Sequence, residues 1–223
     1  MFSNRIKLIA SLLDKNDRVL DVGTDHGLLP IYLIKNNLVE AADGSDVSDI
    51  ILSNARSNVE KFHYEDKINI ILSDGLKSID VANYNTLVVA GMGFSTIKNI
   101  LCSNSIDSIY KMIIQTNNDY EAARRFINHV GYRIIKEICI KDKNINYIIF
   151  QAVKENQTLS DDEYLCGIYS ADNKWYYEEM ILKIDNVLKS IPSEHHEKIK
   201  QLNKEKKIYR KYISTGKTEE KNS

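Results

Sequence analysis

The sequence predicts an α/β fold: a mostly parallel sheet with helices on both faces, closed by an antiparallel hairpin and followed by a small C-terminal helical domain. Three observations predict it. Strand-like and helix-like segments alternate up to about Lys154, the pattern of a parallel sheet covered on both sides. The β-rich runs YRIIKEICI and NINYIIFQAV then follow with only Lys-Asp-Lys between them, a hairpin signature. Beyond Asn156 the strand signals fade, and apolar residues recur at helical spacing from Trp175 to Ile191.

The N-terminal MFSNRIKLIASLLDKN reads as an amphipathic helix, too short and too polar for a signal peptide. Strands are expected at 17–22, 38–43, 67–72, 85–90 and 110–115, each a short apolar or β-branched run bounded by turn residues. Helices are expected between and after them at 27–36, 47–62, 75–80, 94–103 and 119–129. Further on, one helix spans Asp172 to Ser190 and Pro192 breaks it. Ser193 reads as the N-cap of a second helix running to about Tyr212, with Glu194 and Glu197 near its first turn. Such a pair forms an αα-hairpin. The tail from Thr215 is polar and is expected to be disordered. The chain is thus expected to divide at 1–155 and 156–223.

Of the 223 residues, 43% are hydrophobic and 27% charged, as in a soluble globular protein. No apolar run approaches the roughly 20 residues that span a bilayer. A cytoplasmic protein is expected, without a membrane partner or an obligatory protein partner. Cys102, Cys139 and Cys166 are too far apart for a zinc site and odd in number for a disulfide framework. Each thiol is expected to be buried, and no metal is expected. Net charge is −1, yet His195 to Ile213 holds seven cations (Lys198, Lys200, Lys204, Lys206, Lys207, Arg210 and Lys211) against Glu197 and Glu205. Such a patch can dock phosphates; it reads equally as a solvated helix face.

The motifs that carry chemistry sit at strand ends. Val19 to Gly23 is an apolar strand ending in a glycine turn, with a helical pattern behind it. Open α/β sheets hold nucleotide-like ligands there. The third glycine of G-x-G-x-x-G is missing, which disfavours a nicotinamide dehydrogenase. Asp46 lies about 20 residues further on, where an acidic residue grips ribose hydroxyls. Asp43 competes with it, and Asp46 also reads as a helix N-cap. Asp74-Gly75 follows the third strand and reads as a plain turn; in S-adenosylmethionine-dependent enzymes, which this pattern resembles, an Asp at this position contacts the cofactor's adenine. Ala90-Gly91-Met92-Gly93 leaves room for a flat base, and Gln115 and Asn117 offer amides to a base edge. Asp25 is placed to stabilise a developing positive charge, to take a proton, or to bind an amine. His26 could bind a carboxylate or a phosphate, or cap the helix behind it.

The D-x-G-x-D-x-G run at Asp21 to Gly27 resembles motif I of class I S-adenosylmethionine (SAM) methyltransferases. With GSDVSD at 44–49, SDGL at 73–76, AGMG at 90–93 and QTNN at 115–118, the chain resembles the TrmK family. These are bacterial tRNA (adenine-N1)-methyltransferases acting on adenine 22. Family members typically carry A-G-M-G-G where Phe94 stands here, and Q-P-N where Thr116 replaces the proline. The resemblance implies a Rossmann-like class I methyltransferase fold, a C-terminal coiled-coil domain that helps bind tRNA, and SAM as cofactor. The Asn/Asp-Pro-Pro-aromatic run of enzymes that methylate the exocyclic amine of adenine is absent after the fourth strand. The combined reading places Asp21, Gly23, Thr24, Asp25, Leu28, Asp46, Val47, Asp74, Gly75, Ala90, Gly91 and Met92 at the cofactor. Asp25, His26, Gln115 and Asn117 are the candidates for the chemistry. Arg5, Lys7, Lys198, Lys200, Lys204, Lys207, Arg210 and Lys211 are the candidates for tRNA contact. Rival readings are a methyltransferase of another RNA, DNA or small-molecule substrate, and a non-catalytic SAM-binding module.

Overall fold

Seven strands form one sheet: β1 (Arg18–Val22), β2 (Ala41–Asp46), β3 (Ile70–Leu72), β4 (Thr86–Met92), β5 (Lys111–Thr116), β6 (Tyr132–Asp142) and β7 (Ile145–Lys154). Their spatial order is β3-β2-β1-β4-β5-β7-β6. The first five are parallel, and β7 runs antiparallel beside β5. The winding reverses between β1 and β4, which opens a crevice at the carboxyl ends of those strands. This computed structural model describes residues 2–142 and 145–219. It resolves into two units, residues 1–136 with 140–157 and residues 137–139 with 158–223.

In the first unit the central strands are apolar on both faces, and Val19, Leu20, Leu87, Val88, Met112, Ile113 and Phe150 are fully buried. Helices α1 (Asn4–Ala10), α2 (Leu28–Lys35), α3 (Asp49–Lys61), α4 (Phe94–Leu101) and α5 (Tyr120–His129) complete the layers. Ser3 caps α1 and Ser48 caps α3 through their hydroxyls. In α2, Pro30 falls in the first turn, where a missing N–H costs nothing.

Several boundaries differ from the sequence expectation. Strand β2 begins at Ala41 and ends at Asp46, so Asp43 lies inside it opposite Leu20. The helix expected at 75–80 is a run of turns, followed by a 3₁₀ turn at Val81–Asn83. Gly75, at φ +61, turns the chain so that Ser103 can accept from the Leu76 N–H at 2.9 Å. Cys102 is exposed, unlike Cys139 and Cys166, because it is the C-cap of α4 and sits at the surface.

At the other end of the sheet, Lys111 opens β5 with a buried ammonium. It bonds Asp14 and, at 2.8 Å, Asp17, whose other oxygen accepts from Thr86 at 3.0 Å. Burial works against the charge, but the two carboxylates outweigh it and raise the lysine pKa. This cluster ties the segment after α1 to β5.

The second unit holds α6 (Asp161–Cys166), a 3₁₀ turn at Ala171–Asn173, α7 (Lys174–Ser190) and α8 (His196–Glu219). Ser160 and Glu163 form a capping box on α6, an element the sequence reading missed because it spans under two turns. Asn173 is buried; its Oδ1 accepts from the Cys139 N–H and its Nδ2 donates to the Glu137 carbonyl, both at 2.9 Å. The hairpin core is aromatic, with Tyr177 stacked on Tyr209 at 5.7 Å and tilted against Tyr212 at 5.2 Å. Ser193 is not an N-cap: the helix starts at His196, and the His195 carbonyl accepts from the Ile199 N–H. Helix α8 continues past Thr215 to Glu219, where a disordered tail was expected; residues 220–223 lie outside the described residues. Among the described residues no helix is long and apolar enough to cross a membrane.

Replacing Lys111 with Met leaves Asp17 buried without its partner. The expected outcome is a loss of about 3 kcal/mol in urea unfolding. An unchanged midpoint would show that the cluster does not anchor the strand.

Candidate active site

The chain leaves β1 by bending over β2. The N–H groups of Gly23 and Thr24 both donate to the Ser45 carbonyl, at 2.8 and 2.9 Å. Gly23 takes φ +74, and a Cβ there would lie 1.9 Å from Cε of Met92. Thr24 drops onto Gly44, where a Cβ would meet its side-chain atoms at 2.8 Å. Thr24 can therefore reach back and donate to Asp21 Oδ2 at 2.7 Å. Gly44 was missed in the sequence, although a glycine inside a strand is a known sign of close backbone approach.

Asp21 is buried at the floor of a cavity of about 280 Å³, near the lower end for a small-ligand site. Its walls come from Arg5, Ile6 and Ile9 of α1, the Gly23–His26 turn, Leu28 and Leu29 of α2, Asp46, and Ala90–Met92. Burial pushes the Asp21 carboxyl up to about 6; the Thr24 hydroxyl and the Arg5 charge pull it down, and Asp46 adds to the rise.

Asp46 ends β2 and faces the cavity, and its Oδ1 accepts from the Ser48 N–H at 3.1 Å. The helix cap is Ser48, so Asp46 does not serve as one. Asp43 is structural, accepting from the Asn69 N–H and the Tyr84 hydroxyl at 2.7 Å each. Beside Asp46 the apolar side chains of Val47, just after β2, and Leu72, the last residue of β3, are 67% and 50% exposed.

Asp25 adopts φ +54, a conformation that Asp tolerates better than most residues. Its side chain is 65% exposed and lies 3.5 Å from His26 Nε2. His26 caps nothing; Gly27 occupies the N-cap of α2 without a side-chain bond.

At β4 the register against β5 slips between Ala90 and Met92, so Gly91 is an extra, bulged residue at φ +88. The bulge directs Met92 across Gly23. Asn117 Nδ2 donates to the Gly91 carbonyl and Asn117 N–H to the Met92 carbonyl, both at 2.9 Å.

Four expected site residues stand elsewhere. Gln115 is wholly buried, and its amide is used internally: Nε2 donates to Asn117 Oδ1 at 3.0 Å and to the Thr116 carbonyl, while Oε1 accepts from Arg5 at 3.3 Å. It braces Asn117 and does not present an edge to a base. Arg5 lines the cavity instead of the outer surface, and its guanidinium lies 5.4 Å from the Tyr147 ring centroid. Asp74 and Gly75 lie outside the cavity, in a separate hollow, with Asp74 paired to Lys77 at 2.5 Å. The basic face of α8 is smaller than its sequence, since Lys204 pairs with Asp162 at 3.2 Å and Lys206 with Asp185. Lys198, Lys200, Lys207, Arg210 and Lys211 are exposed. Among the described residues no group of three or more His, Cys, Asp or Glu side chains is placed to hold a metal ion.

Asp21 carries a cost that its function would justify. Its folded pKa of about 6 exceeds the ordinary 3.8, so the stability it removes is absent at pH 4 and appears as pH rises through 6. A displacement of that size corresponds to about 3 kcal/mol. Asp21→Asn is expected to raise the melting temperature at pH 8 and to leave it nearly unchanged at pH 4. A variant less stable than the parent at pH 8 would refute the burial argument.

Comparison with known proteins agrees with this geometry. A family model described as a methyltransferase domain matches residues 2–150. A Mycoplasma genitalium protein named as a putative tRNA methyltransferase is 30% identical over 169 residues, 73% of this chain and 76% of that one. The Bacillus subtilis tRNA (adenine(22)-N(1))-methyltransferase is 25% identical over 152 residues, 67% of this chain and 64% of that one. The solved structure of M. capricolum TrmK with S-adenosyl-homocysteine is 28% identical, with a TM-score of 0.82 over 96% of this chain and 98% of that one. The strand order, the glycine crossing from β1 to β2 and these matches agree: the chain belongs to the methyltransferase-domain family, and M. capricolum TrmK is among the proteins it resembles.

Proposed function

We propose that this chain is a SAM-dependent methyltransferase acting on ring nitrogen N1 of adenine 22 in tRNA. The observation that carries the proposal is the cavity: its three carboxylates, its glycine crossing and its bulged glycine stand together in a fold whose relatives bear that name. SAM supplies an electrophilic methyl group on a positively charged sulfur; the N1 lone pair forms the new N–C bond while the C–S electron pair stays on sulfur.

The residues then divide the work. Gly23, and Thr24 seated on Gly44, keep the floor low enough for a ligand to lie across the strand ends. Asp21 sets a negative charge beneath the cationic part of the cofactor. Asp46 accepts from ribose hydroxyls, and the exposed Val47 and Leu72 offer apolar surface for the adenine ring. Methylation at N1 leaves a cationic base, and Asp25 at the rim stabilises that charge as it forms. Asn117, fixed through Gln115, shapes the side on which the base arrives. The target base must leave its stack at a cost of a few kcal/mol. Phosphate contacts from Lys200, Lys207 and Lys211, spaced along one stripe of α8, help offset that cost.

The test is incubation of the full chain with unmodified tRNA and methyl-labelled SAM, followed by mapping of the modified base. Label at N1 of adenine 22 is expected. Asp25→Asn keeps a side chain suited to the left-handed backbone and should lower kcat by about 100-fold. Label on another base, or full activity of that variant, would overturn the reading of the substrate or of Asp25 respectively.

A further inference from the structure

Tyr147 is a half-buried ring for which neither sequence nor fold supplies a use. It is the third residue of β7, one position before Ile148, which pairs with Thr116. It therefore stands beside Asn117, just past the carboxyl end of β5. Among the described residues its hydroxyl has no hydrogen-bond partner, and the Arg5 guanidinium lies over its ring, 5.4 Å from the centroid. That guanidinium also donates to Gln115 at 3.3 Å and lies 3.7 Å from where a Cβ would stand on Gly91. A flat, delocalised cation thus lies between an aromatic face and the glycine bulge that lines the cavity.

We propose that Tyr147 is the platform on which the extruded target base stacks, and that Arg5 covers it until the base arrives. The inference rests on the proposed function for the identity of the base. When the ring nitrogen takes the methyl group, positive charge passes from sulfur to the base, which becomes a flat, delocalised cation like the guanidinium it displaces. A tyrosine face attracts such a cation through its ring quadrupole. The attraction grows as the charge develops, so it lowers the barrier and does more than tighten binding. Arg5 turns towards Asp21, whose charge it already feels. Stacking on the ring also recovers part of what flipping costs.

The experiment compares the wild-type chain with Tyr147→Phe, Tyr147→Leu and a series in which Tyr147 is replaced by phenylalanine carrying one to three ring fluorines. It measures kcat on unmodified tRNA and the Kd for S-adenosylhomocysteine. Tyr147→Phe is expected to keep kcat within about twofold, and Tyr147→Leu to lose about tenfold or more. The Kd should stay within about twofold throughout, and kcat should fall with each fluorine as the face loses negative charge. A kcat for Tyr147→Leu equal to wild type, a flat fluorine series, or a parallel loss of S-adenosylhomocysteine binding would overturn the inference. A wild-type chain that binds S-adenosylhomocysteine and methylates no adenine would overturn the proposed function itself, and this inference with it.

Discussion

The site depends on one contact, the seating of Thr24 on Gly44. Without a side chain on Gly44 the backbone leaving β1 can lie flat against β2, with both N–H groups of the turn on the Ser45 carbonyl. Only then does the Thr24 hydroxyl reach Asp21 and hold a largely buried carboxylate at the floor of the cavity. The buried charge destabilises the fold; the Thr24 hydroxyl relieves it most, and the charge of Arg5, delivered from α1, relieves it further. The same guanidinium braces Gln115, which braces Asn117, which holds the Gly91 carbonyl. A chain of contacts thus runs from the floor of the cavity to the wall where a substrate would enter.

This arrangement explains why unusual backbone gathers at the carboxyl ends of the strands. Gly23, Asp25, Gly27 and Gly91 all take positive φ, and Gly91 is also a bulge. Each re-aims a side chain or a carbonyl that an ordinary strand-to-helix turn would leave pointing elsewhere. The amino ends hold the opposite kind of feature. There Lys111, Asp14, Asp17 and Thr86 bond one another at the start of β5, the strand whose far end carries the buried amide of Gln115. Rigidity at one edge supports strain at the other.

The fold was largely legible in the sequence because its signals are periodic. Alternating strand and helix patterns and two adjacent β-rich runs suffice to specify a parallel sheet with an antiparallel end; of the Lys-Asp-Lys read as their turn, Lys141 and Asp142 belong to β6 and Lys143 lies outside the described residues. What periodicity does not carry is position within a short polar stretch. Ala-Ala-Asp-Gly-Ser-Asp has no hydrophobic pattern, so β2 was expected three residues early and Gly44 was overlooked. The turns at 73–78 likewise follow from the Ser103 hydroxyl, a long-range contact. In the site, Gly23, Asp21, Asp46 and Met92 were legible as motif residues. Arg5 and Gln115 were legible by type only: nothing local says that a cation on the first helix will point inward, or that an amide at a strand end will be spent on bracing its neighbour. Two lysines of α8 lose their availability to acids on other helices, which no linear charge count can show.

The central claim is that the floor of the site is a carboxylate held out of water, with a pKa near 6. The direct measurement is a carbon-13 NMR titration of the Asp21 side chain, without and with S-adenosylhomocysteine. A midpoint near pH 6 is predicted for the free protein, moving to lower pH when the ligand places its ammonium above the carboxyl group. A midpoint near the ordinary value of 3.8, unmoved by the ligand, would contradict it.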